Sequence, residues 1–220
     1  MTLDSYTTLI KYLPYLDQAF ETKRENWIQH PKSNTIFADF YQRTFLNESL
    51  KLSRADLFGA CKHNFHDAIF SIIFWGYPRN MRGKNFESIL NSLNGIESAL
   101  GTQRNLSADD FIMMCDNLKS TGVGLSTLSK FLYFFEYKLE NHQCLILDRR
   151  IMDVINDENG FIEMKNFSLK ERITEFNKRK KYVAYLHLME DLSSKNRYKA
   201  DQLEFFLFSM GKNLKPTKKK

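Results

Sequence analysis

The sequence predicts an all-α fold of about ten helices in one or two intertwined lobes. Its 220 residues include three Val against twenty-six Leu, with only four Pro and nine Gly. A β-rich chain needs more β-branched residues and more frequent turn signals than this. Hydrophobic residues make up 43% and charged residues 26%, so we expect a packed core and not a disordered chain.

Apolar stripes and capping signals place the helices along the chain. The clearest stripes are Phe86-Ile89-Leu90-Leu93-Ile96, Phe111-Met114-Leu118, Leu128-Phe131-Leu132-Phe135 and Leu203-Phe206-Leu207. Ser53 before Asp56 and Ser107 before Asp110 have the spacing of capping boxes. The predicted helices span roughly residues 4–20, 34–46, 53–60, 64–75, 85–100, 107–119, 125–137, 148–156, 168–194 and 198–210. Because no Gly/Ser/Pro-rich linker interrupts them, we expect residues 1–211 to form one domain.

Charge and composition exclude several classes of protein. The net charge of +6 comes mostly from five lysines of residues 212–220, which we expect to be a basic, disordered tail. No apolar run reaches about 18 residues, so we expect no membrane-spanning helix. The first residues do not resemble a secretory signal. We therefore expect a cytoplasmic protein with three reduced thiols, which are Cys61, Cys115 and Cys144.

The segment Gly122-Val123-Gly124 lies between two amphipathic helices, at about residues 107–137. Glycines allow a positive φ and leave no side chain in the way of a ligand. Amides at the start of the second helix then point toward any anion. The segment predicts a helix-hairpin-helix that grips a DNA phosphate, and the alternative is a tight turn between helices without a ligand.

A carboxylate follows the second helix at the end of an apolar run. Asp148 comes directly after Cys144-Leu145-Ile146-Leu147 and before a predicted helix. Asp is a favoured N-cap, so an ordinary cap is one interpretation. The other is a carboxylate that faces the same cleft as the hairpin, and the two roles are compatible.

These residues resemble a known group of enzymes. Gly122-Val123-Gly124, followed about two dozen residues later by an Asp after an apolar run, resembles the helix-hairpin-helix DNA glycosylase superfamily over about residues 107–156. The segments 74–78 (FWGYP) and 125–134 resemble bacterial 8-oxoguanine DNA glycosylase-like proteins. The resemblance implies a helix-hairpin-helix glycosylase fold that removes a damaged or modified purine, such as 8-oxoguanine, from double-stranded DNA in base excision repair. Some such relatives are associated with antiviral defence.

The resemblance also implies roles for individual residues. Asp148 corresponds to the carboxylate that stabilises the sugar cation as the base leaves. Lyase members of the superfamily carry a nucleophilic Lys early in the second helix, and the matching residue here is Ser126. Lys130 lies four residues later on the same helix face, so it could supply the amine instead; otherwise it is a solvated lysine. Lys119 precedes the hairpin and is the candidate for a phosphate contact.

A base pocket needs aromatic walls, because an extruded base stacks on aromatic rings. Trp75 and His66 are candidates, with burial in the core as the alternative for Trp75. Phe205, Phe206 and Phe208 lie on the last helix, which completes the pocket in related enzymes. The spacing Cys61-x-His63-x-x-His66 fits known zinc sites poorly, so we expect no metal and no other cofactor.

Two functions without chemistry compete with the glycosylase prediction. The chain could be a DNA-binding module that kept the hairpin but lost the reaction, which the Ser at position 126 favours. It could also be an accessory component of antiviral defence built on the same fold. The combination of Asp148 with the basic residues Lys119, Lys130, Arg149 and Arg150 favours the enzyme.

Overall fold

Helices supply most of the chain in the computed structural model, which describes residues 1–167 and 177–214. In this part of the chain the helices are α1 (Thr7–Tyr12), α2 (Thr35–Thr44), α3 (Arg54–Ala60), α4 (Phe65–Gly76), α5 (Asn85–Asn91), α6 (Leu93–Leu100), α7 (Ala108–Asn117), α8 (Leu125–Phe134), α9 (Arg149–Ile155), α10 (Lys178–Asn196) and α11 (Ala200–Ser209). The prediction of a helical fold is confirmed.

Five short strands were not expected from the sequence. Strands β1 (Ala19–Lys23) and β2 (Ser49–Ser53) pair antiparallel, with Ala19 opposite Ser53. The second sheet has the order β3 (Asn105–Leu106), β4 (Lys138–Leu139) and β5 (His142–Gln143), with β3 parallel and β5 antiparallel to β4. Segments of two to five residues contain too few alternating positions to give a periodic signal.

Two predicted helices differ from the observed ones. The helix expected at about 4–20 ends at Tyr12, because Pro14 pushes Leu13 into an extended conformation with ψ of 127°. The helix expected at about 85–100 is broken at Ser92, whose backbone leaves the helical region with φ of −120°. Ser favours such breaks because its hydroxyl competes for backbone hydrogen bonds. The apolar stripe runs across the break, so the sequence pattern alone shows one helix.

Helices α4 and α8 lie in the middle of the core. Residues 68–75 of α4 and residues 127–134 of α8 are all buried, which is unusual for helices of a small domain. The two helices pack against each other, and α4 also packs against α3, β1 and β2. This packing brings Gly76, the last residue of α4, against the middle of α8.

The two predicted capping boxes are confirmed at the starts of α3 and α7, where Ser53 pairs with Asp56 and Ser107 with Asp110. Of the helix predicted at about 168–194, α10 covers the part from Lys178, and residues 168–176 lie outside the described residues. The same holds for residues 215–220 of the predicted basic tail. Within the described ranges, no helix is long and apolar enough to cross a bilayer.

Candidate active site

The two glycines of the hairpin serve different purposes. Gly122 has φ of +82°, and a Cβ at this position would lie 2.3 Å from the carbonyl oxygen of Asn85. Gly124 is the N-cap of α8 with an ordinary φ of −80°, and a Cβ there would meet nothing within 4 Å. Gly124 is exposed, while Val123 between the glycines is half-buried. The first amides of α8 therefore face an open surface that any anion can approach closely.

Lys130 is held in an extended conformation along α8. Its Nζ donates to the backbone oxygen and to the Oγ of Ser126, both at 3.0 Å. The ammonium also lies over the ring of Tyr77, 5.2 Å from its centroid. The side chain passes so close to Gly76 that a Cβ at Gly76 would lie 2.8 Å from Lys130 Cδ. Lys130 is thus 4% exposed, and its amine lies beside the hydroxyl of Ser126.

Asp148 caps helix α9 at the end of a buried, extended run. Its Oδ1 accepts hydrogen bonds from the amides of Arg150 at 2.9 Å and Ile151 at 3.1 Å. The run before it, residues 144–147, is buried and pairs with no strand of the described ranges, so other groups satisfy its backbone. Tyr182 and Tyr185 of α10 donate to the carbonyl oxygens of Leu145 and Ile146, each at 2.8 Å. The cap therefore has a fixed position, while the other carboxylate oxygen, Oδ2, accepts no hydrogen bond from the described residues.

Lys130 and Asp148 both line one pocket of about 220 Å³. It is lined by Phe20, Arg54, Trp75, Gly76, Pro78, Lys130, Ile146, Asp148, Arg150, Glu204 and Phe208. Lys130, Asp148 and Trp75, three of the residues singled out in the sequence, thus lie at one cavity. Their chain positions span 73 residues and three segments, α4, α8 and the start of α9.

Three aromatic rings form one wall of the pocket. The ring of Phe20 lies 5.1 Å from that of Trp75 and 6.1 Å from that of Phe208. Trp75 is fixed by a hydrogen bond of 3.3 Å from its Nε1 to the carbonyl oxygen of Gln18. At the rim, the guanidinium of Arg150 lies 5.0 Å above the ring of Phe208. Trp75 is only 3% exposed, whereas Phe20 and Phe208 are half-buried. The half-buried rings can stack a planar base, and Arg150 places a positive charge at the entrance.

A buried ion pair lies under this wall. Arg54 donates to both carboxylate oxygens of Glu204, at 2.7 and 3.2 Å, and its Nε donates to Gln18 at 2.6 Å. Both charged side chains are almost completely buried. Burial raises the pKa of Glu204 and the guanidinium of Arg54 opposes this rise. Arginine stays protonated in proteins, so Arg54 is a cation whose N–H groups are hydrogen-bonded to Glu204 and Gln18. The bottom of the pocket is therefore polar, and its charges are paired.

Other candidate residues lie outside the pocket lining. His66 is on α4, but its Nε2 faces Glu97 at 3.5 Å, and its ring lies beside Phe65. Lys119 is exposed on the hairpin, where its Nζ pairs with Asp116 at 2.8 Å. Of the three phenylalanines considered on α11, Phe208 lines the pocket, whereas Phe206 is fully buried in the core.

Several pocket residues had no signal in the sequence. Phe20 falls in the segment taken for a helix and lies in β1 instead. Arg54 and Glu204 are 150 residues apart, and nothing local marks either charge as buried. The only hint of a buried charge is the position of Glu204, which directly follows Leu203 of the apolar stripe. Charged residues seldom occupy core positions unless they are paired.

Comparison with known proteins adds one finding. The family described as "Putative 8-oxoguanine DNA glycosylase OGG-like protein" matches residues 14–208, which include the hairpin, Lys130 and Asp148. No curated protein and no solved structure matches the chain. Because the match covers well over half of the sequence, the chain belongs to this OGG-like family.

Proposed function

We propose that the protein is a DNA N-glycosylase that excises a damaged or modified purine, such as 8-oxoguanine, from double-stranded DNA. The observation that carries the proposal is the placement of Lys130 and Asp148 at one pocket with an aromatic wall. The carboxylate is suited to stabilise the sugar cation that forms during base release, and the amine supplies the nucleophile for a lyase step. Membership of the OGG-like family supports the same activity.

In the proposed reaction, the target nucleotide is extruded from the duplex and its base stacks against Phe20 or Phe208. The bond between the sugar C1′ and the base nitrogen breaks, and the base leaves with the electron pair and takes up a proton from water. Positive charge develops on the sugar during this step. The carboxylate of Asp148, fixed by two backbone amides, stabilises that charge.

Lys130 is the proposed nucleophile. Its amine, after giving a proton to water, attacks C1′ and forms a C–N bond. The C1′–O4′ bond then breaks, O4′ takes up the second proton that the nitrogen loses, and an iminium ion joins the lysine to the DNA. That ion permits elimination at the 3′ phosphate, which is the lyase activity. Ser126, at the position where the related lyases carry their lysine, supports this role, because its hydroxyl lies 3.0 Å from the Nζ of Lys130.

The hairpin is the proposed grip on the DNA backbone. Gly122 and Gly124 let the start of α8 approach a phosphate, and Ser126 lies in the first turn of that helix. Lys119 on the hairpin and Arg150 at the rim of the pocket add positive charge on either side. Contacts of this kind fix the register of the protein on a duplex without reading its sequence.

Base release and covalent trapping test the proposal together. The protein is incubated with duplexes that carry 8-oxoguanine, uracil or an alkylated purine, with and without alkali, and with borohydride to reduce the iminium ion. We expect release of the modified purine and a trapped complex in the parent protein. Lys130→Gln should lose the trapped complex, whereas Lys62→Gln, a change of an exposed lysine outside the pocket lining, should keep it.

Asp148→Asn is the second variant for the same assay of base release. Because Asn caps helices about as well as Asp, the variant should stay folded and bind DNA, but it should release no base. Trapping that persists in Lys130→Gln would disprove the role of Lys130 and move the search to Lys119. Binding of duplex DNA without release of any base would leave the non-catalytic DNA-binding protein as the better account.

A further inference from the structure

A short hydrogen-bonded path joins the amine of Lys130 to the amide of Leu147, the residue before Asp148. Its centre is Ser129, a residue of α8 that is fully buried and lines no cavity described here. The Oγ of Ser129 accepts a hydrogen bond of 3.1 Å from the amide of Leu147, the residue immediately before Asp148. The same hydroxyl donates to the backbone oxygen of Ser126 at 3.1 Å.

The oxygen of Ser126 is also where the lysine is anchored. It accepts from the Nζ of Lys130 at 3.0 Å, so one carbonyl receives both the amine and the hydroxyl of Ser129. The path therefore runs from the amide of Leu147, through Ser129 and Ser126, to the amine of Lys130. A serine hydroxyl can complete this path because it donates one hydrogen bond and accepts others.

Other contacts of the run that precedes Asp148 do not duplicate this one. Tyr182 and Tyr185 hold the carbonyl oxygens of Leu145 and Ile146 from the side of α10. They hold the run against a different helix, and neither contacts the amide of Leu147. The amide of Cys144 donates to the backbone oxygen of Tyr137 at 2.9 Å, at the other end of the run. Among the described residues, the bond to Ser129 is the hydrogen bond that ties this amide to the helix carrying Lys130.

We propose that Ser129 is a positioning residue that sets the placement of the Asp148 carboxylate relative to the Lys130 amine. The inference rests on the proposed function, because it assigns Ser129 a part in the same reaction. Misplacement of a reacting group by about 1 Å lowers a rate by about 100-fold. Loss of the link should therefore slow base release while leaving DNA binding unchanged, since Ser129 is buried and touches no exposed surface.

The experiment measures three quantities for each variant: the single-turnover rate of base release at saturating enzyme, the Kd for a duplex with a non-cleavable abasic analogue, and the thermal midpoint. Ser129→Ala removes both hydrogen bonds. We expect its rate to fall by about 10- to 100-fold with the Kd within about twofold of the parent value. Ser129→Thr keeps the hydroxyl and should recover most of the rate.

Tyr182→Phe is the matched control. It removes the buried hydrogen bond to Leu145 and the hydroxyl contact with the thiol of Cys144, but it leaves the bond next to Asp148 in place. A role of Ser129 in stability alone predicts that both variants lose rate only to the extent that they unfold. The positioning role predicts that Ser129→Ala alone is slow at a temperature where both variants are folded.

Amide hydrogen exchange supplies a readout that does not depend on activity. In Ser129→Ala the amide of Leu147 should exchange faster, whereas in Tyr182→Phe it should not. An active parent together with an unchanged rate in Ser129→Ala, or unchanged exchange at Leu147, would overturn the positioning role alone. A parent that releases no base would overturn the proposed function, and the positioning role with it.

Discussion

Gly122 and Gly124 look equivalent in the sequence, yet their neighbours constrain them differently. Gly122 combines a left-handed φ of +82° with a clash, since a Cβ would meet the carbonyl of Asn85. Gly124 has neither constraint, and the space beside it is open. We therefore propose that Gly122 serves stability and that Gly124 serves access of the ligand to α8.

Substitution of the two glycines should separate these effects. Gly122→Ala should lower the free energy of unfolding by about 1–3 kcal/mol, the usual cost of a strained backbone conformation, and by more if Asn85 cannot move. Gly124→Ala should cost less than about 1 kcal/mol, because Ala is only a poorer N-cap than Gly. Its affinity for duplex DNA should nevertheless fall, since a methyl group would stand between phosphate and amide.

Urea unfolding gives the free energies, and fluorescence anisotropy with a labelled duplex gives the affinities. The comparison requires that Gly124→Ala is as well folded as the parent, which circular dichroism checks. Equal losses of stability in the two variants, or full DNA affinity in Gly124→Ala, would contradict the division of roles.

At the scale of elements, the sequence was informative where a signal is local. Helix α8 and the caps of α3 and α7 follow from spacing alone. Strand β1 does not, because it depends on pairing with β2, which is distant in the sequence. The break between α5 and α6 does not either, because it depends on one residue, Ser92, and does not interrupt the periodic apolar pattern. The same reason explains why the sequence pointed to Lys130 and Asp148, which line the pocket, and not to Phe20, Arg54 and Glu204. The first two belong to one continuous motif, and the others meet only through the fold.

The loop after α4 illustrates a contact that depends on pH. His30 is buried, and the side-chain amide of Asn80 donates to its Nε2 at 2.9 Å when the ring is neutral. Asn80 also donates to the backbone oxygen of Asn26, so it fixes the loop that follows the pocket residue Pro78. Burial lowers the pKa of His30 below its usual 6.5, and the charge of Glu87 opposes part of this shift.

Stability should therefore depend on pH through His30. The unfolded chain binds a proton at about pH 6.5, whereas the folded protein binds it only at a lower pH. The free energy of unfolding should fall as the pH drops below about 6.5 and should stop falling from this cause below the pKa of the folded state. Urea titrations between about pH 5 and about pH 7.5 measure the effect. His30→Gln, which does not titrate, should flatten the dependence; an unchanged slope in this variant would contradict the assignment.

At the scale of the whole molecule, the positive charge is unevenly distributed. Of the net charge of +6, five charges are lysines of residues 212–220, most of them outside the described residues. The rest of the chain is close to neutral, so its basic groups near the pocket act locally. Duplex binding through a few phosphates is then expected to be salt-dependent, with the hairpin and the tail making separate contributions.

Affinity for a duplex should fall steeply between about 50 and about 200 mM salt. Deletion of residues 212–220 should weaken binding only modestly, because the hairpin sets the register. Each phosphate contact contributes about 0.9 to the slope of log K against log salt, so five lost contacts would lower the slope by about 4.5. We expect a much smaller change, measured by salt titration of the full chain and the shortened chain. No affinity at low salt would contradict DNA binding altogether.

The contact between Gly76 and Lys130 has a consequence for which residues can occupy position 76 in related proteins. The methylenes of the lysine occupy the space in which any other residue at position 76 would place its Cβ, 2.8 to 2.9 Å away. The long side chain of Lys130 can move aside. A larger residue at position 76 would therefore displace its amine from Ser126 with little loss of stability. Relatives that use the amine of this lysine should therefore keep glycine at position 76. Relatives that no longer use the amine can carry a larger residue there. If Lys130 is the nucleophile, as proposed, the identity of residue 76 should indicate, from a sequence alone, whether a relative still uses its lysine.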